Sequence, residues 1–112
     1  MKMKKIGLVT LAIGAALTLA ACGNSTAKNQ VDTIKKNKTL TVALSADYPP
    51  FEFQTIQNGK NVVVGSDVDL AKAIGKELGV KVKISNMDFS NVLTAVSTGK
   101  ADLAISGITY TK

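Results

Sequence analysis

Between Thr39 and Ser106 the apolar residues switch repeatedly between strand-like and helix-like spacing, and this switching restricts the possible folds more than any other feature. Thr39–Leu44 is β-branched and apolar and reads as a first strand. Asp67–Leu78 places Leu70, Ala71, Ile74 and Leu78 on one helical face, with Lys72, Lys76 and Glu77 elsewhere. Val80, Val82 and Ile84 then alternate with Lys81, Lys83 and Ser85, the period of a strand wetted on one side. A second helix is expected from Ser90 or Asn91 through Thr98, with Val92, Leu93 and Val96 inward. Ala101–Ser106 is nearly continuously apolar, as suits the buried middle of a parallel sheet. Strand, helix, strand, helix, strand in this order predicts an α/β fold: a mostly parallel sheet flanked by helices and joined by right-handed crossovers.

The punctuation between these elements agrees with that reading. Gln30–Asn37 spaces Val31 and Ile34 three apart and predicts a short amphipathic helix. Ser45-Ala46-Asp47-Tyr48-Pro49-Pro50 is a shaped loop, because two prolines remove donors and restrict their predecessors. Phe51–Ile56 and Asn61–Val64 flank Gln57-Asn58-Gly59-Lys60, and Asn-Gly tolerates the positive φ of a tight hairpin. Ser66 with Asp69 fits a capping box, while Gly79 and Gly99 fit helix ends.

Composition removes whole classes of chemistry. The 112 residues contain no His and one Cys, which excludes His-dependent triads, His-ligated zinc, an intrachain disulfide and a cysteine metal cage within them. All 14 basic residues are Lys, so no guanidinium is present to grip a carboxylate by two parallel hydrogen bonds. The net charge of +6 falls to +3 once Lys2, Lys4 and Lys5 are set aside with the leader, and no basic run exceeds Lys35-Lys36. Nucleic acid is therefore not an expected partner.

The N-terminus reads as an address. Three Lys within Met1–Lys5 precede an uncharged run, Ile6–Ala21, that falls short of the ~20 apolar residues of a spanning helix. Leu19-Ala20-Ala21-Cys22-Gly23 resembles a bacterial lipobox, in which the Cys thiol takes a lipid such as palmitate and the chain is cut before it. Residues 1–21 are thus expected to be a lipoprotein signal peptide and 22–29 a small polar tether. The location expected is the outer face of the cell membrane, with Cys22 holding the lipid anchor.

Three stretches, in order, carry a further likeness: Ala43–Phe53 (ALSADYPPFEF), Gly65–Leu78 (GSDVDLAKAIGKEL) and Gly99–Thr111 (GKADLAISGITYT). Together they resemble the extracellular solute-binding proteins of family 3, the amino-acid receptors of ABC importers. The resemblance implies a type II periplasmic-binding-protein-like fold, two α/β lobes hinged around an amino acid. Residues 30–112 would be the first lobe, incomplete without the second. It further implies that Tyr48 lines the cleft beside the ligand side chain and that Ser45 lies near the end of that side chain. Ser106, Gly107 and Thr109 would offer backbone and hydroxyl groups to the α-carboxylate and α-ammonium.

Two departures from the family pattern stand out. Ser66 occupies the place after the glycine where relatives usually carry an aromatic or large apolar wall, so the wall is either reduced to Tyr48 or joined by Phe51 or Phe53. The family's carboxylate-clamping Arg follows the Ser106-Gly107-Ile108-Thr109 segment by a few residues, so the natural chain is expected to continue past Lys112.

Other candidates have plainer explanations. Asp67 and Asp69 sit in the first turn of a helix and favour its dipole, and at i and i+2 they face different ways. Asp102 reads as a turn or cap residue, and Ser106 has no His to activate it as a nucleophile. The expected function is capture of an extracellular amino acid and delivery to an ABC permease by lobe closure, as a monomer without a cofactor or a covalent step. A ligand sensor or a dehydratase-like enzyme on the same scaffold is the alternative.

Overall fold

The computed structural model describes residues Thr26–Lys112. The expected leader, Cys22 and the first residues of the tether lie outside the described residues. Helix α1 spans Thr26–Asn37, so it begins four residues before the expected Gln30 and takes in part of the expected tether. Lys35 and Lys36 in its last turn complement the helix dipole. Ile34 is buried against the sheet, whereas Val31 stays largely exposed.

Strand β1 is Thr39–Leu44, as the sequence predicts. It is the centre of a parallel three-stranded sheet, between β5 (Lys81–Asn86) on one side and β6 (Leu103–Ala104) on the other. A second, antiparallel sheet joins β2 (Asp47–Tyr48), β3 (Glu52–Gln57) and β4 (Lys60–Val64). The expected hairpin closes on Asn58 (φ 52°) and Gly59 (φ 74°), both left-handed as a two-residue primed turn requires.

Leu40, Val42 and Ala71 pack with Ile34 on one face of the parallel sheet, joined by Ile74, Leu78, Leu103 and Ile105. Ala43, Val92, Ala95 and Ala101 form the core on the other face, joined by Ala104. The run after Ala101 is therefore apolar because both faces are covered, even though β6 is a two-residue edge strand rather than the middle of the sheet. Side chains complete what so short a strand leaves open along β1. The Thr41 N–H donates to Asp102 Oδ2 at 2.8 Å, and the Ser45 N–H donates to Ser106 Oγ at 2.9 Å. Asp102 has the structural role its position implies.

Helix α2 is Ser66–Leu78 and α3 is Phe89–Ser97. The capping box at Ser66 does not form: Gly65 is the N-cap, and the Ser66 and Asp67 N–H groups donate to the carbonyls of Pro50 and Phe51 at 3.2 and 2.9 Å. A loop backbone has taken the place of the side-chain cap. At α3 the N-cap is Asp88, so the helix starts before the expected Ser90 or Asn91. Both C-termini end as expected, with Gly79 (φ 70°) and Gly99 (φ 76°) left-handed. Val80 and Lys100 then bond back to the carbonyls of Gly75 and Ala95.

The inward faces match the expectation at Ala71, Ile74, Leu78, Val92 and Val96 and depart from it at two positions. Leu70 and Leu93 are exposed, while Val68, Ala71, Gly75, Val92 and Ala95 are buried. The helices lie so close to the sheet that small residues take the contacts. A Cβ at Gly75 would overlap Cγ2 of Val82.

Candidate functional site

At the carboxyl ends of β1, β5 and β6 the chain leaves the parallel sheet, the location where open α/β sheets bind ligands. The exit from β1 is fixed on both sides. Ser45 N–H is held by Ser106 Oγ, and Ala46 N–H donates to Asn86 Oδ1 at 2.9 Å. The chain then runs through β2 into a turn around the cis Pro49–Pro50 bond, closed by the Phe51 N–H on the Tyr48 carbonyl. This turn stacks Tyr48 on Phe51, with ring centroids 5.2 Å apart. It also brings Glu52 opposite Tyr48 at the start of β3.

A cavity of about 430 Å³ opens here, lined by Asp47, Tyr48, Glu52, Phe89, Ser106, Gly107 and Thr109. Four of the residues implied by the resemblance, Tyr48, Ser106, Gly107 and Thr109, thus come together. Ser45 does not join them: it lines an adjoining cavity with Ala46, Gln54, Asn86, Met87 and Asp88. It is connected to the first cavity by its hydrogen bond to Ser106.

Glu52 is the residue that sequence reasoning passed over as one more strand position. It is 1 % exposed. Its Oε1 accepts from the Ser106 hydroxyl at 2.9 Å, while its Oε2 has no hydrogen-bond partner. Burial above all, then the Asp67 carboxyl, with Asp47 adding to it, raises its pKa from the ordinary 4.5 to about 7; the Ser106 hydroxyl pulls the other way. The one sequence signal was an acid flanked by Phe51 and Phe53 in a short apolar strand.

Asp67 also does more than favour a dipole. Its Oδ2 accepts the Gly107 N–H at 3.0 Å, tying the first turn of α2 to the segment after β6. Gly107 is left-handed (φ 56°), and a Cβ there would lie 3.1 Å from Tyr48 Cδ1. The Ser106 hydroxyl and the Gly107 N–H are therefore already engaged inside the lobe. Carboxylates and aromatic rings dominate the rest of the lining, and no Lys is among it. Such a surface complements a cation with apolar substance.

Comparison with known proteins agrees with this geometry. Residues 40–112 match the family described as bacterial extracellular solute-binding proteins, family 3. The chain is 38 % identical over 109 residues to the arginine-binding extracellular protein ArtP of Bacillus subtilis, covering 97 % of this chain and 40 % of that protein. The chain thus spans less than half the length of this relative. An amino acid ABC transporter substrate-binding protein from Streptococcus pneumoniae, bound to L-arginine, superposes with a TM-score of 0.72 at 57 % identity, over 74 % of this chain and 35 % of that one. The arginine-bound form of domain 1 from TmArgBP, of T. maritima, superposes with a TM-score of 0.66 at 49 % identity, over 72 % of this chain and 62 % of that one.

Proposed function

We propose, from the premise that this chain belongs to the bacterial extracellular solute-binding proteins of family 3, that it forms the first of two lobes capturing a cationic amino acid, arginine foremost. The captured ligand would be handed to an ABC-type membrane importer. The observation that carries this reading is Glu52, a buried carboxyl that lines one cavity with Asp47 and whose Oε2 makes no hydrogen bond. An orphaned buried carboxyl oxygen costs free energy in the empty lobe, and a ligand cation arriving with its own donors removes that cost. Tyr48 would cover the ligand side chain. After β6 the Ser106 O–H and Gly107 N–H are held by Glu52 and Asp67, so Ser106 and Gly107 would offer acceptor lone pairs to the α-ammonium and Thr109 its hydroxyl to the α-carboxylate, and Ser45 would steady Ser106 from behind. Capture requires closure around a hinge and no covalent step.

Calorimetry on the full product of the gene with the twenty amino acids tests this. Arginine is expected to bind at micromolar concentration or below, lysine more weakly, and neutral and acidic amino acids at least about 100-fold more weakly than arginine, because each would leave a carboxylate unpaired. No binding tighter than millimolar for any of them overturns the reading.

The leader supports attachment to the membrane through lipidated Cys22, with residues 1–21 removed and the lobe held at the outer surface. Cys22→Ala is expected to move the protein from the membrane fraction to the culture medium. An unchanged membrane fraction, read by immunoblot, would refute the anchor.

A further inference from the structure

Aromatic residues are few in this chain, 2 Tyr, 3 Phe and no Trp, yet two of the five line one cavity. Tyr48 is held there by stacking on Phe51. Phe89 has no such anchor: it belongs to none of the apolar clusters of the core, stacks on no ring among the described residues, and leaves 56 % of its surface exposed. It stands at the first position of α3, directly after Asp88, and it lines the cavity together with Asp47 and Glu52. A large apolar side chain outside the core clusters and more than half exposed contributes little to folding, so its place in a cavity with two acids points to another cause. Ser66, which follows Gly65 at the start of α2, is too small to provide a wall.

We propose that Phe89 is a specificity-determining residue of this site, the aromatic wall on which the cationic side chain of the ligand lies, favouring the planar guanidinium of arginine over the ammonium of lysine. This rests on the reading of the cavity as a cationic amino-acid site. A guanidinium is flat and weakly hydrated, so it stacks on a ring at little desolvation cost while its edge N–H groups reach the carboxylates; an ammonium is compact and strongly hydrated.

The test measures arginine and lysine affinities by calorimetry for the full gene product and its Phe89→Leu and Phe89→Trp variants. Phe89→Leu keeps apolar bulk and removes the π face. It is expected to weaken arginine about tenfold and lysine by no more than about threefold, so that the preference shrinks. Phe89→Trp is expected to retain arginine binding, and its Trp fluorescence in excess of the parent's should change on arginine addition. Thermal melts of the three proteins are expected to coincide within a few degrees. Arginine affinity within twofold of the parent in Phe89→Leu, or equal losses for both ligands, overturns the inference and leaves the functional reading standing. A parent protein that binds neither ligand overturns the functional reading itself.

Discussion

Replacing Glu52 by Gln is expected to weaken arginine binding about 100-fold or more while the lobe remains folded. The amide keeps an oxygen to accept from the Ser106 hydroxyl, the bond Glu52 Oε1 makes at 2.9 Å. That hydroxyl in turn keeps accepting the Ser45 N–H, so the exit from β1 is preserved. What is lost is negative charge in a site 1 % exposed to solvent, where a ligand cation would otherwise be paired. Removing one partner of a desolvated charge pair costs about 2–5 kcal/mol. Neutral amino acids should lose little or nothing in the same variant. Calorimetry showing arginine affinity within threefold of the parent would remove Glu52 from the binding account.

The same residue fixes the direction of the pH dependence. With its pKa raised to about 7 by burial and by Asp67 and Asp47, Glu52 keeps its proton in the folded protein where the unfolded chain has released it above 4.5. For an acid shifted upward, the stabilising contribution is fully present below pH 4.5 and disappears as pH rises to 7, by roughly 3 kcal/mol. Glu52→Gln should abolish that fall and be the more stable protein at pH 8. Binding runs the opposite way, since a cation requires the ionised form. Arginine affinity should hold steady above pH 7 and drop about tenfold per pH unit below it, with one proton released per ligand bound. The groups facing Glu52 are Asp67 from α2, Asp47 from β2 and the Ser106 hydroxyl, and Glu52→Gln should flatten this profile as well.

These effects centre on a residue whose importance was not legible in the sequence, and the reason is physical. Period and turn chemistry are local, so Thr39–Leu44, the Asn58-Gly59 hairpin and the glycine ends of both helices could be read directly. Depth is not local. Leu70 and Leu93 follow helical spacing yet are exposed, while the buried contacts of their helices go to small residues such as Ala71, Gly75 and Ala95, with α2 so close to the sheet at Gly75 that a Cβ would overlap Val82. The burial of Glu52 arises from the neighbouring β2 opposite it together with two segments further along the chain, α2 with Asp67 beside it and Ser106 from the other end of the lobe. Only the folded chain brings them together. Phe89 was lost for a smaller reason. The helix expected from Ser90 or Asn91 leaves it outside, whereas the chain is already helical at Phe89.

Gly65→Ala is expected to be the most damaging single-methyl change in the described part of the chain, costing about 3 kcal/mol or more and abolishing arginine binding with it. Gly65 has φ 129° and ψ 176°, a conformation open to glycine and closed to side chains. A Cβ there would overlap the Phe51 carbonyl and lie 2.9 Å from the Pro50 oxygen. Those two carbonyls are the acceptors that satisfy the first N–H groups of α2, so the helix cannot retreat without uncapping itself. Nor can the loop retreat freely, because it carries Tyr48 and Phe51 into their stack and leads into Glu52. Gly59→Ala supplies the comparison: its φ of 74° is also left-handed, but no atom lies within 4 Å of the added methyl. That variant should lose about 1 kcal/mol and bind normally. Urea midpoints of the two variants separate the causes. If Gly65→Ala falls no further than Gly59→Ala and still binds arginine, the close approach of α2 to the Pro50–Phe51 turn does not hold the site together.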